Sequence, residues 1–263
     1  MVRPKQHGFL SVESILALLV LLLIAGAAYV VVSKQNDALH NKKQPAANNQ
    51  QTGSQPHIQN WPVTIAALNA SSKLAGDVYM DDRVLISGNT DLPSRPVTEV
   101  GRQAQRSVSS DMTFLVRSGA PVYAVADGSV VSVEHVQQNG RDDYTVRLSP
   151  APVADGQTSA WVVTYGHVID VTVVPHAHIR AGDRLGAAGP YGAGQPYSVV
   201  TMQVTHAGEA YCPSFFITSS ARQRMKTALL QLTEAWETQA VNGGVYNESA
   251  WTAIGCMADK VKS

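Results

Sequence analysis

Residues 121–136 read PVYAVADGSVVSVEHV, two β-rich runs hinged on Asp127-Gly128. Valine, tyrosine and other branched or aromatic residues suit a pleated surface, and Asp-Gly is a tight-turn dipeptide. Working outward, the same punctuation recurs in VLISG (Val84 to Gly88), YTVRL (Tyr144 to Leu148), WVVTYGHV (Trp161 to Val168) and YSVVTMQVTH (Tyr197 to His206). Short runs separated by Asp-Gly, Asn-Gly and Gly-rich turns predict a mostly β, antiparallel domain. After Thr218 the period changes. ARQRMKTALLQLTEAWETQ places Met225, Leu229, Leu232 and Trp236 at helical spacing, and a shorter helix is expected around Ser249 to Lys260.

The chain has 263 residues, 44% of them apolar, enough to bury a sizeable core. Lys plus Arg balances Asp plus Glu at 20 each, so charge provides no drive toward nucleic acid, and no nucleic-acid partner is expected. The two cysteines, Cys212 and Cys256, form neither a C-x-x-C pair nor a Cys/His cluster of zinc spacing. In an oxidising compartment they read as one disulfide, and otherwise as two buried thiols. The compartment decides, and the N-terminus reports on it.

From Ile15 to Val32 the sequence ILALLVLLLIAGAAYVVV carries no charge. As a helix it spans about 27 Å, close to the thickness of a hydrocarbon core. A cleaved signal peptide competes, with Ala25, Ala27 and Ala28 as its small residues. Ahead of the run stand the basic residues Arg3 and Lys5, then Gly8, Phe9 and a lone Glu13. A carboxylate in lipid is expensive and marks a function, unless Glu13 simply sits at the interface beside the helix N-terminus. Lys34, Lys42 and Lys43 follow the helix, so charge bias leaves its orientation open.

A short basic leader ending in Gly8, Phe9 as first mature residue, Glu13 as fifth, and an apolar helix resemble the N-terminus of type IV prepilins and pseudopilins. The resemblance implies cleavage by a prepilin peptidase between Gly8 and Phe9, N-methylation of Phe9, and the C-terminal part outside the cytoplasm. It also implies assembly with other pilin or pseudopilin subunits, in which Glu13 offsets a neighbour's free amine. The inner membrane is the expected anchor, the periplasm the site of the head, and an extracellular pilus a further destination. Residues 1–8 are then the leader and 9–33 the membrane helix. Residues 34–60 are rich in Asn and Gln, with Pro45 and Pro56, and read as a flexible tether carrying His40 and His57. Such a tether suits a minor component better than a bulk filament subunit. Residues 61–108 are β-rich but unassigned, either extending the sheet or forming a subdomain.

Residues 109–218 resemble the LytM or lysostaphin-like peptidase fold, and 219–263 follow as a helical segment. The resemblance rests on GAPVYAVADGSV (Gly119 to Val130), Tyr165-Gly166-His167, IRAGDRLGAAGPYG (Ile179 to Gly192), a following strand, and Pro213. In that family a zinc ion is held by an H-x-x-x-D stretch and by the second His of an H-x-H strand. Spacing puts these positions at Ser109 and Thr113, and at Thr201 and Gln203. None supplies the imidazole, thiolate or carboxylate that zinc prefers. His167 alone remains of the family's constellation, either as a helper of chemistry or as a histidine packed against Tyr165. His135, His176, His178, His206 and Asp111 are the available substitutes for a rebuilt metal site. The expectation is a degenerate cleft of Ser109, Thr113, His167, Thr201 and Gln203, with no catalytic residue, no metal and no cofactor.

Three functions follow. The first is a pilin-like envelope protein with an inactive LytM-like head that binds peptidoglycan, a cell-wall hydrolase or another protein. The second is a membrane-tethered zinc endopeptidase acting on peptidoglycan. The third is an envelope protein unrelated to pili. N-terminal sequencing of the chain from cells with an active prepilin peptidase is expected to begin at a methylated Phe9, and a chain that retains its first eight residues would reject the pilin reading.

Overall fold

The computed structural model describes residues 54–81, 95–104, 107–138, 141–151, 159–189, 197–239 and 245–262. The expected cleavage site at Gly8 and Phe9, Glu13, the helix over 9–33, most of the tether and the VLISG run lie outside the described residues. Among the described residues no helix is long and apolar enough to cross a membrane.

Short strands come first: β1 (Leu68–Asn69), β2 (Leu74–Ala75), β3 (Val78–Tyr79), β4 (Val97–Thr98), β5 (Gln103–Ala104) and β6 (Ser107–Val108). The longer ones follow: β7 (Met112–Arg117), β8 (Pro121–Tyr123), β9 (Gly128–Gln138), β10 (Arg141–Ser149) and β11 (Trp161–Ile169). The series ends with β12 (His178–Ile179), β13 (Arg184–Ala188), β14 (Tyr197–His206), β15 (Glu209–Tyr211) and β16 (Lys260–Lys262), and among the described residues one α-helix, α1 (Ser219–Gln239), follows β15. All but β5 and β6 join one antiparallel sheet, whose main path is β1-β2-β3-β7-β14-β11-β10-β9-β12. The expectation of a mostly β, antiparallel fold is met. Within the unassigned residues 61–108, β1 to β4 extend this sheet, since both β3 and β4 pair with β7, while β5 and β6 pair only with each other.

Alternation decides which side chains face the core. In β14, Val200, Met202 and Val204 are fully buried, while Thr201 and Gln203 between them are half-buried on the other face. Phe114 of β7 and Tyr165 of β11 join the same core, and α1 covers it with Met225, Leu229, Leu232 and Trp236. These helical positions are the four picked out by spacing. Trp61 packs on Phe114 at 6.0 Å and its indole N–H donates to the Met225 carbonyl at 3.3 Å, tying the head's first segment to the helix. The Tyr165 hydroxyl, wholly buried, accepts from the Val125 amide at 2.8 Å.

Two expectations need correction. The tether does not run to Asn60: Ile58 is fully buried, and its amide and carbonyl bond Phe216 and Thr218. Nor is there a helix from Ser249 to Lys260. A single 3-10 turn, Glu248–Ala250, gives way to Gly255 at φ 72°, a backbone state that ends helices. The chain then pairs as β16 with β15.

Cys212 and Cys256 are bonded, 44 residues apart, and both are fully buried. The bond closes a loop that contains α1. In the chain-entropy account a loop of this length stabilises by about 4 kcal/mol. Replacing both cysteines by serine is expected to lower Tm by about 10 °C in a thermal melt, and reductant to lower the melting of the natural chain to a similar degree; unchanged melting in both cases would show that the bond adds nothing.

Candidate functional site

A cleft of about 420 Å³ opens on the face of the sheet opposite α1's core. Its floor is written in cross-strand rows. Arg147 of β10 pairs with Thr164 of β11, and Thr164 pairs with Gln203 of β14. One row along, Gly166 pairs with Thr201, which pairs with Thr113 of β7. A Cβ at Gly166 would collide with the Thr201 hydroxyl, so glycine is what lets that side chain lie over β11.

His167 reaches the cleft through an irregularity. Tyr165 and Val168 are both fully buried, although strict alternation would place residues three apart on opposite faces. The β10–β11 register shifts between Tyr144 and Val146, and His167 takes φ 62°. This β-bulge leaves Gly166 and His167 side by side on the cleft face. A left-handed backbone at a non-glycine residue costs of order 1 kcal/mol and is held here by its surroundings. The His167 Nδ1 meets Asp143 Oδ2 at 2.8 Å. The other oxygen of that carboxylate, Oδ1, is buried with no hydrogen-bond partner among the described residues.

The opposite wall precedes β7. Gln203 Nε2 donates to Ser110 Oγ at 2.9 Å, and Ser110 Oγ donates to Asp111 Oδ1 at 3.2 Å. Burial pushes the Asp111 carboxyl above the usual carboxylate range, while Ser110, His167 and Gln203 pull it back. Ser109 sits outside the cleft lining and donates its hydroxyl to the Asp111 carbonyl at 2.8 Å, bracing the turn. Thr113 is also outside the lining, beside Thr201 in the sheet. Of the five expected cleft residues, the structure therefore brings His167, Thr201 and Gln203 together. Ser110, Asp111 and Asp143 complete the site. Asp111 was legible as a substitute carboxylate, whereas Asp143 needed the strand pairing.

Comparisons with known proteins bear on residues 108–213, which match the Peptidase family M23 model. Residues 108–213 are an M23, LytM-like domain. Solved structures similar to the chain include the solution structure of lysostaphin, at 16% identity over 57% of this chain and 53% of that one, with a TM-score of 0.33. The catalytic domain of the prophage-encoded M23 protein EnpA from Enterococcus faecalis, solved as a point mutant, is 19% identical over 43% and 83% of the two chains, with a TM-score of 0.33. LytU is 18% identical over 48% and 86%, with a TM-score of 0.36. The chain thus spans about half of lysostaphin. No curated protein matches the sequence.

The M23 fold implies zinc, and the donors present do not fit it. Gln203 stands at an expected ligand position and spends its amide on Ser110. His167 has one ring nitrogen taken by Asp143. Among the described residues no three His, Cys, Asp or Glu side chains are grouped closely enough to hold a metal ion. The substitutes lie elsewhere: His135 pairs with Asp142 at 2.7 Å, His178 bonds Ser129 at 3.1 Å, His206 stacks on Trp161 at 4.4 Å, and His176 is exposed outside the cleft. What the cleft offers chemically is hydrogen-bond acceptors, hydroxyls and an oriented imidazole.

Because the folded-state pKa of Asp111 lies above the unfolded value of about 3.9, its contribution to stability is full below that value and is lost as pH rises through the folded pKa. In urea unfolding across this window, the natural chain is expected to lose stability relative to Asp111→Asn as pH rises; a constant difference would refute the assignment.

Proposed function

We propose that this chain is a pilin-like envelope protein, anchored in the inner membrane, whose M23-fold head binds peptide in peptidoglycan or in a partner protein without cutting it. The observation that carries the non-catalytic reading is the cleft's donor set. Hydrolysis by this fold needs a metal-activated water, and zinc needs about three good ligands with one position open. Here Ser109, Thr113 and Gln203 stand at the ligand positions, and Gln203 is committed to Ser110. A cleft lined by hydroxyls, an amide, an oriented histidine and carboxylates is suited to hydrogen-bonding a peptide backbone and its polar groups.

The anchor is supported by the Gly8-Phe9 junction, Glu13 and the uncharged run from Ile15 to Val32. Prepilin peptidase and other pilin or pseudopilin subunits are the partners this N-terminus calls for. A periplasmic head agrees with the Cys212–Cys256 bond, since disulfides persist in oxidising compartments. A cell-wall hydrolase is a second candidate occupant of the cleft.

Purified protein supplied with zinc is expected to carry no stoichiometric metal, to co-sediment with peptidoglycan sacculi and to release no soluble fragments from them. Bound zinc together with fragment release would establish the tethered endopeptidase instead. Recovery in sheared pili, or in membranes alone, locates the anchor.

A further inference from the structure

We infer that the cleft is built to receive a primary ammonium group carried on a short peptide, with Asp111 as its direct partner and the Asp143–His167 pair beside it. The inference rests on the peptide-binding reading above and specifies which feature of the peptide is recognised.

Charge is the first reason. The cleft lining contains two carboxylates, Asp111 and Asp143, and one guanidinium, Arg147. Arg147 is held by Glu134 on the neighbouring strand, so its charge is matched outside the cleft. His167 spends Nδ1 on Asp143. The cleft is left with more negative than positive charge.

Unsatisfied polarity is the second. Asp143 is only 15% exposed in its side chain, and its Oδ1 has no donor among the described residues. A buried carboxylate oxygen without a donor is costly, and a cation nearby reduces that cost. His167, at φ 62°, presents its Nδ1 to the other oxygen of this carboxylate at 2.8 Å.

The third reason is the kind of acceptor present. Asp111, Thr201 and Thr145 offer oxygens spread over a cavity of about 420 Å³, a size suited to a small organic group. A divalent ion demands several donors converging on one point, and among the described residues no three His, Cys, Asp or Glu side chains do so. An ammonium carries three N–H donors on a flexible stem and tolerates such spacing. Peptide stems that bear a diamino acid would present this group, as would any chain ending in a lysine-like side chain.

The test uses the full-length protein in detergent and two peptides, N-acetyl-alanyl-lysine amide and the same peptide acetylated on its side-chain amine. By calorimetry the free-amine peptide is expected to bind at least about tenfold more tightly than the acetylated one, the scale of one charged hydrogen bond. Asp111→Asn and Asp143→Asn are expected to abolish that preference, while Asp142→Asn, on the exposed hairpin, preserves it. Should the cleft variants fail to fold, the peptide pair on the natural chain decides alone. Equal binding of the two peptides, or of neither, overturns the inference. Sacculi separate the two readings: retention of sacculi regardless of amine acetylation would defeat the ammonium site and leave peptide binding standing, whereas no retention of any sacculus would remove peptidoglycan as the target.

Discussion

The pairing of β14 with β7 on one side and β11 on the other is the constraint from which the head is organised. A strand hydrogen-bonded along both edges cannot slip, because a one-residue shift would send every side chain to the wrong face. Val200, Met202 and Val204 therefore stay in the core, and Thr201 and Gln203 stay on the cleft floor. The partners in register, Gly166 and Thr164 on β11 and Thr113 on β7, are fixed by the same bonds. Core and cleft are thus two faces of one strand, and neither can be rebuilt alone.

On that base the cleft concentrates its electrostatic tension at a few atoms. Burial raises the cost of negative charge at Asp111, whose companions are a hydroxyl and an amide, and Asp143 meets an imidazole. Elsewhere two buried carboxylates, Glu99 and Asp77, have strong cations beside them. Glu99, wholly buried, has Arg95 at 3.2 Å and Arg102 at 3.8 Å, and Asp77 has Arg117 at 2.7 Å. The inferred ammonium site rests on this contrast within one molecule.

Much of this was readable from residue order. The β-rich runs and the apolar stripe of α1 have a local signal in period and composition, whereas the cysteines alone left bonded and free states open, and Asp127-Gly128, read as a tight turn, leads directly into β9 after a bend at residues 125–126. The M23 landmarks point to Thr201, Gln203 and His167, and these three side chains line one cleft. What escaped was non-local. Ile58 looks like part of a polar tether because its neighbours in sequence are polar, yet two backbone bonds to residues 216 and 218 bury it. The stretch from Ser249 to Lys260 has enough helix formers to suggest a helix, but the bond at Cys256 and the edge offered by β15 override that preference. Asp143 has no motif of its own; only the hairpin register of β10 brings it to His167.

The bulge in β11 has an evolutionary corollary. Because the bulge sets two residues between the buried Tyr165 and Val168 where alternation needs one, loss of the Gly166 codon would restore unbroken alternation with the imidazole still on the cleft face, at the expense of the gap over which the Thr201 hydroxyl lies. Deletion and substitution in this interval therefore do opposite things: the first removes the bulge and keeps the imidazole, the second removes the imidazole and keeps the bulge.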